Sequence, residues 1–122
     1  VYSIKFYKDK NGNEPLKEYI KRLGNKNDKN SRVNFNKIRD YIKILSKYGT
    51  VVGEPFVRHI KGEIWELRPL RNRILFFAYD GNSFILLSHF IKKTQKTPII
   101  EIEKAQRLMN EYKERSNNNG NK

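Results

Sequence analysis

From Tyr2 to Tyr7 the chain alternates apolar and polar side chains, Tyr-Ser-Ile-Lys-Phe-Tyr, which predicts a strand with one buried face. Asp9–Asn13 is a polar turn around Gly12. Asn13 can cap a following helix that carries Pro15 in its first turn. Leu16, Tyr19, Ile20 and Leu23 then repeat at helical spacing and form one apolar stripe, with Gly24 as the stop. Residues 25–30, NKNDKN, read as a solvated loop. A second helix is expected from about Ser31 to Tyr48, with Val33, Ile38, Ile42 and Leu45 on its buried face and Gly49 at its end. After a connector, Thr50–Pro55, the period changes to that of strands: Phe56–Ile60, Ile64–Arg68, Arg73–Tyr79 and Ser83–Lys93. Their turns are Lys61-Gly62, Pro69–Asn72 and the hairpin signal Asp80-Gly81-Asn82. The near-continuous run FILLSHFI predicts burial on both faces, hence an inner strand. Thr97 and Pro98 open a last helix with Glu101 and Glu103 in its first turn, where the helix dipole favours anions. Its apolar side is Ile99, Ile102, Leu108, Met109 and Tyr112, and the polar stretch from Ser116 is expected to fray. The order β-α-α-β-β-β-β-α predicts an α+β domain: a mainly antiparallel sheet packed on two helices, with a terminal helix.

Length changes this picture little, since 122 residues suit one domain. No apolar run is long enough to span a membrane, and no signal peptide is expected. The absence of cysteine excludes disulfides and thiolate chemistry, and it fits an intracellular, cytoplasmic location. The net charge of +13 matters more. Self-repulsion on this scale opposes compaction, so a polyanionic or acidic partner is the cheapest explanation. The excess cations fall in residues 1–49 and 58–96, while the terminal helix is almost neutral. A binding surface is therefore expected away from that helix. Lys37, Arg39, Lys43 and Lys47 read as the solvated side of the second helix.

The candidate chemistry lies between His59 and Pro98. Alternation sends Trp65 and Leu67 to one face and Glu66 and Arg68 to the other. The bland reading of Glu66 and Arg68 is an ordinary exposed ion pair. Arg73 opens the next strand, across a short turn from Arg68. Two guanidiniums meeting across a hairpin repel unless an anion bridges them, which makes both candidates for phosphate binding. Lys92, Lys93 and Lys96 follow the inner strand and, with Arg71, are expected to extend one cationic cleft. His89 reads as a satisfied, largely buried histidine. His59, beside Lys61, is more open to proton transfer. No histidine spacing or carboxylate cluster suggests a metal site. RNA can be cleaved in such a cleft without a metal, because its 2′-hydroxyl is an internal nucleophile. The site then needs cations for charge at phosphorus, a base and an acid, and an in-line geometry.

The segments Trp65–Arg68 (WELR), Arg73–Phe77 (RILFF) and Ile85–Ala105, with FIKKTQKTP as the most specific piece, resemble the HigB-type toxins of the RelE/ParE superfamily. The resemblance covers residues 2–110 and implies a RelE-like toxin domain over 1–115, with a disordered polar tail over 116–122. It implies a type II toxin–antitoxin toxin that acts as an mRNA endoribonuclease on translating ribosomes and contacts ribosomal RNA. It also implies a HigA-like helix-turn-helix antitoxin, a heterotetrameric complex, and no cofactor. Carried over by position, it points to Arg73, Arg68, Lys93 and Glu66 as catalytic. Lys61, His59, Lys92, Lys96 and Arg71 would hold RNA. The catalytic tyrosine that RelE has near its C-terminus has no counterpart before Tyr112. Two rival readings share these features. One is a ParE-like gyrase inhibitor, since fold alone does not fix function. The other is a non-catalytic nucleic-acid-binding module.

Overall fold

The computed structural model describes residues 1–120. The elements are β1 (Ser3–Phe6), α1 (Pro15–Gly24), α2 (Lys29–Tyr48), a short 3-10 turn (Gly49–Val52), β2 (Val57–Lys61), β3 (Ile64–Leu67), β4 (Asn72–Tyr79), β5 (Ser83–Ile91) and α3 (Ile99–Gly120). The five strands form one sheet in the order β1-β5-β4-β3-β2. Among the described residues only the β1–β5 pair is parallel, with Ser3 beside Ser83 and Phe6 beside Leu86; the other three pairs are antiparallel. This is the expected α+β architecture.

The inner strands β4 and β5 explain why the sheet carries helices on both faces. Ile74, Leu75, Phe76 and Phe77 are all fully buried in sequence, so β4 has no solvent face in its middle. Ile74 and Phe76 pack with Leu16, Leu23, Ile38 and Leu45 of α1 and α2. Leu75 and Phe77 pack with Ala105 and Met109 of α3. Each such side chain contributes about 1.5–3 kcal/mol by leaving water. The charged residues of this second face gather at its end, where the chain leading into α3 crosses it.

Several local expectations change. Asp28 rather than Ser31 starts α2: its carboxylate accepts the Ser31 amide at 2.9 Å, so the helix begins at Lys29. Asn13 does not cap α1, whose preceding residue is Glu14 with no side-chain cap. Val33 and Ile99 are exposed rather than core. The polar stretch from Ser116 continues α3 as far as Gly120; residues 121–122 of the expected tail lie outside the described residues. No helix among the described residues is long and apolar enough to cross a membrane.

Candidate nucleic-acid interface

Register brings the charged side chains together. β2 sets Arg58 opposite Glu66, and β3 sets Glu66 opposite Leu75. Leu75 faces α3, so Arg58 and Glu66 do as well. Arg68 lies two residues beyond Glu66 and Arg73 two before Leu75, on the same face. The α3 face therefore ends, beside the N-terminus of α3, in Glu66 with Arg68 and Arg73 against it and Arg58 on the neighbouring strand.

Glu66 is the centre of this cluster and is only 2% exposed. Its Oε1 lies 3.4 Å from Arg68 Nε and 3.8 Å from Arg73 Nε. Its Oε2 accepts a 2.8 Å hydrogen bond from the Thr97 hydroxyl. The expected exposed ion pair is thus a buried one. α3 and the chain leading into it cover a face that strand alternation alone marks as polar. The anion needed between Arg68 and Arg73 is supplied from within the chain.

Arg73 is 6% exposed and is fixed by its own turn: Nη1 donates to the carbonyls of Leu70 and Asn72, each at 2.8 Å. Leu70 adopts a left-handed conformation (φ 57°), which aims its carbonyl back at the guanidinium. Burial and the neighbouring Arg68 hold the Arg73 pKa below the usual guanidinium range, with Glu66 opposing them. Arginine stays protonated regardless. A cation placed this way, rigid and partly desolvated, gains most from an arriving anion.

Arg68 has two sides. Inward, its Nε is buried near Glu66 without a hydrogen-bond partner. Outward, its Nη1 donates to Glu54 Oε1 at 2.9 Å. The same oxygen accepts from Arg58 Nε at 3.2 Å and Nη2 at 2.8 Å. These contacts hold the Glu54 carboxyl below its ordinary pKa, Arg58 being the larger cause. Glu54 and Arg58 escape a reading by sequence alone. Arg58 is legible only once β2 is paired with β3, and Glu54 belongs to a connector with no period. Thr97, expected to cap α3, instead holds Glu66.

The single cationic cleft expected from the sequence divides. Arg71 is turned away: its Nη2 donates to the Lys92 carbonyl at 2.8 Å, and it borders a groove with Asn30, Asn34 and Leu70 on the α2 side. The Lys92 amide in turn donates to the Arg71 carbonyl at 2.7 Å, so the two extend the β4–β5 ladder. Lys93 and Lys96 stand exposed on the connection that delivers Thr97 to Glu66. His59 is not in the cluster. It pairs with Trp65 across the ladder, on the α1/α2 face, and its Nε2 donates to the Gly62 carbonyl at 2.7 Å. Lys61 lies at the far end of the β2–β3 hairpin, beyond a bulge, near Glu63, whose carboxylate binds Lys113 on α3 at 2.5 Å. Arg68, Arg73 and Glu66 are thus brought together, and His59, Lys61 and Arg71 are not.

His89 is satisfied, as expected. Asn72 Nδ2 donates to Asn34 and Pro69, leaving its Oδ1 to accept from His89 Nε2 at 3.0 Å. The ring stacks on Tyr19 at 4.3 Å, and burial pushes its pKa down to about 4. It borders an apolar groove of about 430 Å³ with Leu16, Leu87 and Leu108. The arginine cluster lies outside this groove and reaches solvent at its rim, Arg58 and Glu54, and an open rim suits an extended polymer better than a small molecule. Among the described residues no group of three His, Asp or Glu side chains is placed to hold a metal.

None of the curated proteins compared matches the chain. Residues 18–110, from within α1 to within α3, match the phage-derived Gp49-like protein family (DUF891), which falls in the RelE/ParE-like toxin superfamily. That span contains β2 to β5 and the whole arginine cluster. The chain belongs to the Gp49-like family.

Proposed function

We propose that this protein is a HigB-type toxin: a metal-independent endoribonuclease that cuts mRNA on the translating ribosome and is silenced by a helix-turn-helix antitoxin. The observation that carries this reading is that Arg68 and Arg73 share one buried carboxylate, Glu66, with Arg58 joined to Arg68 on its outer side through Glu54. Attack by the 2′-hydroxyl builds negative charge on the phosphate oxygens. Arg68 and Arg73 are fixed before substrate arrives, so they stabilise that charge with little reorganisation. Glu66 is buried and engaged on both oxygens, so its role is to align the two guanidiniums rather than to take a proton. Lys93 and Lys96, exposed beside the cluster, add charge along the RNA backbone. The net charge of +13 also supports an acidic protein partner, and we expect two toxins and two antitoxins in the complex.

The test is to add the protein to a translating extract and map mRNA 5′ ends, with folded Arg73→Ala alongside. Codon-phased cleavage is expected from the wild type, with about a 10²–10³-fold slower rate in the variant, the usual cost of losing one such donor. Intact mRNA together with gyrase-trapped DNA breaks would move the assignment to the ParE branch.

A further inference from the structure

Glu54 stands in solvent, unlike Glu66: its side chain is 59% exposed, against 3% for Glu66, and its partner Arg58 is 44% exposed. It nevertheless takes three N–H donors on a single oxygen, two from Arg58 and one from Arg68. This is the pattern by which arginines receive a phosphate oxygen. The connector holds Glu54 there, because the Gly53 carbonyl accepts from the amides of Phe56 and Val57 at 3.0 and 3.1 Å. The Phe56 carbonyl in turn accepts from the Arg68 amide at 2.9 Å.

We infer that Arg58 and Arg68 form a second phosphate seat, next to the Arg73 centre, for a backbone phosphodiester of single-stranded RNA, and that Glu54 fills this seat in the free protein. The inference rests on the nuclease reading for its ligand and adds to it a subsite and an internal competitor. Glu66 cannot be displaced, being buried and tied to Thr97. Glu54 can, since its carboxylate returns to water when a phosphate takes its three donors. RNA binding at this seat is therefore an exchange of one anion for another. Arg58 belongs wholly to the seat, while Arg68 is shared with the centre.

The test is fluorescence anisotropy with a fully 2′-O-methylated single-stranded RNA, which binds but cannot be cleaved, over a range of salt. Four proteins are compared with the wild type: Glu54→Gln, Glu63→Gln, Arg58→Ala and the double variant Glu54→Gln/Arg58→Ala. Glu63→Gln removes the same charge at the other end of the hairpin, where Glu63 pairs with Lys113. Glu54→Gln is expected to bind about two- to fivefold more tightly than Glu63→Gln, the range of an exposed ion pair. Arg58→Ala should bind less tightly and lower the salt slope by about one. In the double variant the gain from Glu54→Gln should vanish, because no seat remains to be freed. Equal tightening by Glu54→Gln and Glu63→Gln would reduce the effect to net charge and overturn the seat. Weaker binding by folded Glu54→Gln would also overturn it, making the carboxylate a ligand of RNA instead of its rival. The nuclease reading fails separately: a wild type that leaves mRNA intact in extract while the binding cycle holds refutes cleavage and keeps the seat. Cleavage without the Glu54 effect refutes the seat alone.

Discussion

Replacing Glu66 by Gln keeps the shape of the side chain and its contact with Thr97 but removes the charge between Arg68 and Arg73. Leaving buried cations without their partner costs about 3–5 kcal/mol in fully enclosed pairs. Here Arg73 keeps two backbone carbonyls and Arg68 keeps Glu54, so the loss should fall at or just below that range, about 2–3 kcal/mol. With an unfolding entropy of about 2.1 cal/mol/K per residue, 122 residues give about 0.26 kcal/mol/K. The melting temperature should therefore fall by about 10 °C. Sulfate provides the second half of the assay. An anion resting on the outer side of both guanidiniums replaces the missing charge, and at ten times its Kd it returns about 1.4 kcal/mol, or ~5 °C. The wild type, already neutralised from within, should gain much less. Thermal melts of both proteins with and without sulfate decide the matter. A Glu66→Gln protein that melts within 2 °C of the wild type, or an equal response of both to sulfate, would refute the idea that Glu66 balances the arginines.

Other outcomes follow from the same structure. His89 is depressed from an ordinary 6.5 to about 4 by burial, so the unfolded chain takes up the proton first as pH falls. Stability should be nearly full above pH 7, drop by about 2 kcal/mol between pH 7 and 5, and level off below 4 as far as His89 is concerned. Urea melts should show this drop, and His89→Gln should lack it. The lowered carboxyls of Asp28 and Glu54 add their own loss only at lower pH, as each is protonated below its usual range. Gly49 holds φ at +70°, and a Cβ there would lie 2.9 Å from the Tyr2 ring. Gly49→Ala should therefore destabilise by about 1–3 kcal/mol in denaturant melts. Arg73→Lys should lose most of the activity lost by Arg73→Ala, as read by mRNA end mapping, because a point charge cannot reproduce the fork that Leu70 and Asn72 orient.

The element order was legible because the chain changes hydrophobic period cleanly, from helical spacing before Gly49 to strands after Phe56 and back to a helix after Thr97. The proximity of Arg68 and Arg73 was legible for a similar reason: a four-residue turn between strands leaves little choice of partner. Less was legible where a side chain's meaning depends on what covers it. Alternation places Glu66 on the polar side of β3, and only the docking of α3 with its leading Thr97 turns that side inward. His59 looked like a site residue because it neighbours Lys61, yet strand parity puts it with Trp65 on the other face. Arg58, on the correct face, carried no local sign of it, since the ladder pairing Arg58 with Glu66 is a tertiary fact. Arg71 was misled by the same cause. Its backbone continues the β4–β5 ladder, and that register sends its side chain across the sheet end, away from Arg73.

Two glutamates among three arginines have opposite meanings, and burial decides between them. A carboxylate in solvent gains little from an arginine and loses little when another anion replaces it. A carboxylate out of water cannot be exchanged, because the guanidiniums it neutralises would be left buried and unpaired. Glu66 is of the second kind and Glu54 of the first. Neutralising Glu66 should therefore weaken the fold and make it depend on added anions, whereas neutralising Glu54 should leave the fold nearly unchanged and strengthen its hold on RNA. Opposite signs from one chemical change, at two positions that touch the same Arg68, are hard to obtain from a surface that merely collects positive charge. They are what a site requires if its cations must be held close together before the substrate arrives and still be free to meet it.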